Sequence, residues 1–290
     1  MVSVETPWTQ DEIVRLMDPE PVGEGRYRAP ARGACERNVV EGGQQIGAVI
    51  VAAAKELPEQ RVTSLALAFS RVARHDLPLD IELDVLRRGR THSTMQVRIL
   101  QDGRLCSAGT VHLDAGSVDL IRDGVEAADV VRPEDLPDLL LPGFEVSGRQ
   151  IRVVDDAYDW DPGHVGPPEL FVWERFAEPV ATEAMNAALL AHATTQWTIA
   201  AALRPHVGFT EIDAHRTFSS GISMVTVAFH EPADVSRWML YANRATYAGS
   251  GTAQGEGRIH DESGRLLASY AVHCMIRPLL RSRPDSSRLM

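Results

Sequence analysis

Glu41-Gly42-Gly43-Gln44-Gln45-Ile46-Gly47-Ala48-Val49-Ile50-Val51-Ala52-Ala53-Ala54-Lys55-Glu56-Leu57-Pro58 decides the architecture, together with the text that follows it. Ile46, Val49, Ile50, Ala53 and Leu57 recur at helical spacing and Pro58 stops the run, which predicts a short helix, rich in small residues and buried on most sides. Stretches rich in Val, Ile, Thr and Leu come next, at 61–69, 79–86, 91–100 and 104–113, divided by Arg88-Gly89 and Asp102-Gly103 turns. The predicted unit is therefore one central helix followed by an antiparallel meander.

Residues 114–144 lose this periodicity and collect acids with Pro133, Pro137 and Pro142, the composition of a linker crossing the surface. The plan then repeats. Thr182 caps a long helical stretch to Leu203 that carries Met185, Ala188, Leu189, His192, Ile199 and Leu203 on one stripe, and strands are predicted at 223–230, 237–248, 251–260 and 265–276. Residues match as well: Gly103-Arg104-Leu105 and Val111-His112 recur as Gly264-Arg265-Leu266 and Val272-His273, both displaced by 161 positions, which is read as an internal duplication. A helix wrapped by a curved antiparallel sheet, doubled in tandem, is a double hotdog of the α+β class. Its predicted parts are an N-terminal helical extension (1–20) opened by the capping box Thr9-Gln10-Asp11-Glu12, a first hotdog (21–113), the linker (114–144), a second hotdog (145–278) and a disordered tail (279–290).

Composition excludes several function classes. The 290 residues are 44% hydrophobic and 24% charged, inside the ordinary globular range. A formal net charge of −11 disfavours a polyphosphate or anionic-membrane partner, so no nucleic acid is expected. Three cysteines, Cys35, Cys106 and Cys274, stand in no zinc-ligand spacing and suit a reducing compartment, so a cytoplasmic location is expected. There is no signal-peptide pattern at the start and no apolar run of membrane-spanning length, so no membrane span is expected.

The acids Asp155, Asp156, Asp159 and Asp161 with His164 lack the regular order that folds a chain around calcium, and they read as a solvated loop. No metal is expected. The glycines at 249–257 precede no helix and read as places where a curved sheet bends. Two places carry chemistry. Gly42, Gly43 and Gln44 open a helix, where free backbone N–H groups can polarise a carbonyl or thioester oxygen that comes close, although the glycines could equally serve to fit helix against sheet. On the second helix His192, Thr195 and Gln196 fall on or beside the apolar stripe, which aims polar groups at the sheet.

These residues carry a resemblance. Val40 to Ala48 followed by Leu86-Arg87-Arg88-Gly89-Arg90-Thr91-His92-Ser93-Thr94 resembles the "GGQ" helix start and the strand turn of the acyl-CoA thioesterase II family. Phe229-His230-Glu231-Pro232 with Trp238-Met239-Leu240-Tyr241, and the turn Asp261 to Ser269, resemble that family's second half, in the right order from about residue 20 to 278. The resemblance implies a double hotdog that hydrolyses an acyl-CoA with water, the thioester lying near the helix ends and CoA entering as part of the substrate, with no other cofactor. It also implies an Asp on the second-half helix, a Ser or Thr on the next strand and a Gln on the last strand. Those positions hold Thr195, Ile222 and Val272 here, none of which can serve as a general base near neutral pH.

Strand parity and helix adjacency offer Gln196, Thr226 and Tyr270 as substitutes beside Thr195, giving Thr195, Gln196, Thr226 and Tyr270 as candidate catalytic residues. Gly42, Gly43, Gln44 and Arg88 are the candidate substrate-binding residues, the arginine for the CoA phosphates. The alternative is a catalytically silent acyl-CoA binding protein. A hydratase-like activity would need an Asp/His pair near a helix end, and the sequence offers none. A homo-oligomer is expected, because hotdog sheets have edges and faces to cover.

Overall fold

The computed structural model describes residues 8–32, 38–139, 146–147, 149–158 and 161–279. The run that opens at Gly42 forms α2 (Gly42–Glu56), and every residue from Gly43 to Ala53 is buried, an all-round burial that its small side chains permit. Ahead of it lie β1 (Trp8–Thr9), α1 (Gln10–Leu16), β2 (Glu20–Gly23) and β3 (Arg26–Ala29). The predicted capping box opens α1: Thr9 Oγ1 accepts from the Glu12 backbone N–H at 3.2 Å and a Glu12 carboxylate oxygen accepts from the Thr9 N–H at 2.8 Å. Behind α2 come β4 (Arg61–Phe69), β5 (Leu79–Arg87), β6 (His92–Gln101) and β7 (Arg104–Asp114); the predicted four-strand meander is corrected, since β5, β6 and β7 pair in succession but β4 pairs with β7 rather than β5.

The second half holds β8 (Val146–Ser147), β9 (Arg149–Val153), β10 (Glu169–Phe176), α3 (Glu183–His192), α4 (Thr198–Leu203), β11 (Phe218–Phe229), β12 (Met239–Gly249), β13 (Thr252–Asp261) and β14 (Leu266–Pro278). Twelve strands form one sheet in the order β2-β3-β5-β6-β7-β4-β11-β14-β13-β12-β10-β9. Outward from the central seam each half gives the same succession, β4-β7-β6-β5-β3-β2 and β11-β14-β13-β12-β10-β9, so the duplication read from residues is also one of topology. Val111 and Val272 lie in the corresponding strands β7 and β14. Sequence reading missed the strands that precede each helix; in the first half β2 and β3 are four residues each, too short to show periodicity.

At the seam β4 and β11 run antiparallel, with Leu67 opposite Val225 and Leu65 opposite Val227, all four buried. The two halves thereby share one apolar core, and α2 packs directly on α3 across it. A second, smaller cluster of Val154, Trp173, Trp238 and Leu240 lies under the linker, with Val130 and Leu136 packed against it and Arg152 and Arg175 stacked on Trp238 at 5.0 and 4.6 Å. The chain is thus an α+β double hotdog.

The predicted single helix from Thr182 to Leu203 is corrected: it breaks. Thr182 does cap it, accepting from the Met185 N–H at 3.1 Å, but α3 ends at His192, a 3-10 turn covers Ala193–Thr195, and α4 starts at Thr198. The cause is local. Thr194 Oγ1 donates to the Ala191 carbonyl at 2.7 Å and Thr195 Oγ1 to the His192 carbonyl at 3.3 Å, side-chain bonds that compete with the helix ladder. The predicted tail lies almost wholly outside the described residues, as does Asp159 of the acid cluster.

Candidate active site

The break at 193–197 places polar side chains over the start of α2. A Cβ on Gly42 would sit 3.1 Å from Phe69 Cζ and 3.5 Å from Thr195 Cγ2, so the first residue of α2 faces the 3-10 turn. A Cβ on Gly43 would sit 2.4 Å from the His192 carbonyl oxygen and 2.9 Å from His192 Cδ2. Gly43 therefore fits helix to helix, and its missing side chain lets the carbonyl end of α3 lie against the amide end of α2, where their dipoles attract. Glu41 occupies the N-cap position, in extended conformation (φ −61°, ψ 145°), but makes no capping bond, so the first N–H groups of α2 gain nothing from its side chain.

Instead its carboxylate approaches His192, with Glu41 Oε2 3.6 Å from His192 Nε2. The imidazole is 2% exposed, and neither ring nitrogen has a hydrogen-bond partner. Burial, aided by the positive charge of Arg149, pushes its pKa down to about 3, so the ring is neutral. Burial raises the Glu41 carboxyl above the usual carboxylate range while Arg149 pulls the other way.

Arg149 reaches Glu174 Oε2 through Nε at 3.8 Å, both side chains almost fully buried, and its Nε and Nη1 make no hydrogen bond. Glu174 Oε1 accepts from Trp197 Nε1 at 2.7 Å. Sequence reading flagged His192 and quoted Glu41 but did not bring them together, and it overlooked Arg149 and Glu174, which sit in strands it did not predict.

The eight sequence-predicted residues divide. Gly42 and Gly43 open α2, and Thr195 meets Gly42 there. Gln196, next in the chain, buries its Oε1 without a partner, whereas the Thr195 hydroxyl is already donated to the His192 carbonyl. Gln44 is a structural residue: fully buried, it donates to the Pro30 carbonyl at 3.0 Å and so pins the segment before α2. Arg88 does not reach this place. It is 65% exposed, 3.3 Å from Glu59, in a turn that Gln60 holds by donating to the Gly89 carbonyl at 2.9 Å, beyond the far end of α2, which at about 1.5 Å per residue is roughly 22 Å long.

Thr226 is also corrected. A β-bulge between Ile222 and Met224 shifts the register, so that Ile222 pairs with Cys274 but Met224 with His273. Past the bulge Val225, Val227 and Phe229 face the core, and Thr226 between them faces outward, not with Ile222. Tyr270 does share the core face with Val272, in the gap left by Gly257, where a Cβ would come 2.1 Å from the ring. Its hydroxyl donates to Asn243 Oδ1, and burial with the negative charge of Glu174 pushes the phenol further from ionisation, so it is no base.

Trp197 also meets the ring of Tyr158 edge-on at 5.7 Å, and Tyr158 lines a separate small cleft with Leu203, Phe209 and Glu211. Tyr158 donates to Glu211, and burial pushes the Glu211 carboxyl up to about 7 despite that bond. A carboxyl whose folded value exceeds its unfolded value near 4.5 supports the fold fully below that unfolded value and withdraws support as pH rises through about 7. Glu211→Gln is therefore expected to match wild type in thermal unfolding at pH 4 and to be more stable by about 3 kcal/mol at pH 8.5. A constant difference across that range would refute the assignment.

Two wrapped helices that pack on each other over one continuous sheet define a double hotdog. The family pattern for the acyl-CoA thioesterase N-terminal domain matches residues 30–113, and that for the acyl-CoA thioesterase C-terminal domain matches residues 125–275. Relatives include acyl-CoA thioesterase 2 of Haemophilus influenzae, 25% identical over 92% of this chain and 97% of its own, and mouse acyl-coenzyme A thioesterase 8, 24% identical over 95% and 90%. An acyl-CoA thioesterase II structure from Mycobacterium marinum superposes with a TM-score of 0.75 at 20% identity, covering 92% of this chain and 98% of that one. The chain belongs to the acyl-CoA thioesterase family. Among the described residues no helix is long and apolar enough to cross a membrane.

Proposed function

We propose that the chain hydrolyses an acyl-CoA thioester to a free acid and CoA where the start of α2 meets the 193–195 turn. The observation that supports this most is the meeting of Gly42 with Thr195, from opposite halves of a chain that matches both thioesterase domains, with the unpartnered Gln196 Oε1 on the residue that follows Thr195. The first N–H groups of α2 polarise the thioester carbonyl as negative charge develops on its oxygen. Gln196 accepts a hydrogen bond from the attacking water and orients it. CoA arrives with the acyl group, and no other cofactor takes part. The site works in the cytoplasm, and the single-partner edge strands β2 and β9 suit self-association.

Release of free thiol from short, medium, long and aromatic CoA esters tests this reading. Wild type is expected to turn over at least one ester, and the double variant Thr195→Ala/Gln196→Ala to be about 10²-fold slower. Ester binding by calorimetry without turnover of any ester would establish the silent binding protein instead.

A further inference from the structure

We propose that Glu41, which stands against the buried His192 at the start of α2, is the general base of this site. This rests on the thioesterase reading above and supplies what that reading lacks, an atom able to take the proton from water.

The three residues at the family positions cannot do so. Ile222 and Val272 are hydrocarbon, and the Thr195 hydroxyl is bound to the His192 carbonyl. Glu41 is the residue immediately before Gly42, so its carboxylate and the polarising N–H groups of α2 belong to one turn of chain. It leaves those groups uncapped and turns toward His192. Its side chain keeps 29% of its surface open, while those of His192 and Arg149 are 2% exposed and that of Glu174 is 1%. Of these side chains Glu41 is the one open to solvent.

Four buried polar atoms have no hydrogen-bond partner: both ring nitrogens of His192, which stands beside Glu41, and Nε and Nη1 of Arg149, which stands beside Glu174. Buried polar groups in folded proteins are nearly always paired, so a cluster of orphans beside an open carboxylate marks a place kept for chemistry rather than for stability. Among the described residues the titratable and charged groups facing Glu41 are His192 of α3 and Arg149 of β9, with Glu174 of β10 behind the arginine. His192 is neutral and too weakly basic to compete for the proton. Burial raises the Glu41 carboxyl, which makes its carboxylate a stronger base, and the cation of Arg149 opposes that rise.

The step balances. Glu41 takes one proton from water as the water oxygen bonds to the thioester carbon, and the carbonyl oxygen becomes an oxyanion facing the N–H groups of Gly42 and Gly43. Collapse of that intermediate breaks the carbon–sulfur bond, and the departing sulfur takes the proton back from Glu41. The products are the carboxylic acid and CoA thiol, with the carboxylate restored.

The test is steady-state thiol release by the full chain on the best ester of the panel, with free CoA binding followed by calorimetry and folding by thermal melting. Glu41→Gln is expected to lower kcat on the order of 10³-fold with CoA affinity within about threefold of wild type, and Glu41→Asp to retain part of the rate. The pH profile of kcat/KM should fall on its acid side through an apparent pKa above 4.5. Arg149→Met should move that limb to higher pH, since the cation favouring the carboxylate is gone, and Arg149→Lys should move it back. An active wild type with an equally active Glu41→Gln overturns the base assignment alone, and a limb unmoved in Arg149→Met overturns the part of Arg149. A wild type inactive on every ester overturns the thioesterase reading and this one with it.

Discussion

Gly43→Val is expected to lower the thermal unfolding midpoint by roughly 6–12 °C and to abolish thiol release. The new Cβ would stand 2.4 Å from the His192 carbonyl oxygen, a backbone atom that no rotamer change can move. Relief requires α2 and α3 to separate across the seam the two halves share. Overpacking of this kind costs about 3 kcal/mol, and in a chain of this size each kcal/mol is worth about 2–4 °C. The same separation carries Gly42 away from Thr195 and Glu41 away from His192. Gly42→Ala is the control. Its Cβ meets only side chains, Phe69 at 3.1 Å and Thr195 at 3.5 Å, so the midpoint should change by no more than about 3 °C, a shift worth about 1 kcal/mol. Equal melting of the two variants would show that the close approach at Gly43 is not what holds the helices together.

Glu174→Leu is expected to destabilise the chain by about 3–5 kcal/mol, because it leaves the buried Arg149 uncompensated and removes the acceptor of Trp197 Nε1. Two opposing effects act on this pair. Burial pushes the Glu174 carboxyl up, disfavouring its charge, while Arg149 and the Trp197 bond favour it. At 3.8 Å, with two guanidinium nitrogens making no hydrogen bond, the ion pair does not recover the full cost of desolvating both groups. The double variant Arg149→Met/Glu174→Leu is accordingly expected to regain most of the lost stability. Urea unfolding of the four proteins gives the cycle. Additive single effects would show that the two charges act independently.

Local patterns in the sequence were enough for much of the fold. The capping box at Thr9, the span of α2, the four strands after it and the duplication are all written in spacings of a few residues or in repeated text, and the tertiary structure kept each of them, though it paired β4 with β7 rather than β5. The loss of an acid at Thr195 and of polar groups at Ile222 and Val272 was equally legible, since it needs only residue types. Errors arose where one local signal overrode another. The apolar stripe from Met185 to Leu203 reads as one helix, but two threonine hydroxyls bonded to helix carbonyls break it. Parity put Thr226 with Ile222, but one bulged residue reverses the alternation.

What only the tertiary structure decided is which groups meet. Glu41 and His192 come from different halves, and they stand 3.6 Å apart because Gly43 lets one helix end lie on another. Arg88 shares a resemblance with Gly42 yet lies past the other end of α2. Periodicity reports which face of an element is buried; it carries no information about which buried face is laid against which. That pairing is fixed by close packing across the β4–β11 seam, and it is there that the candidate base acquires its neighbours.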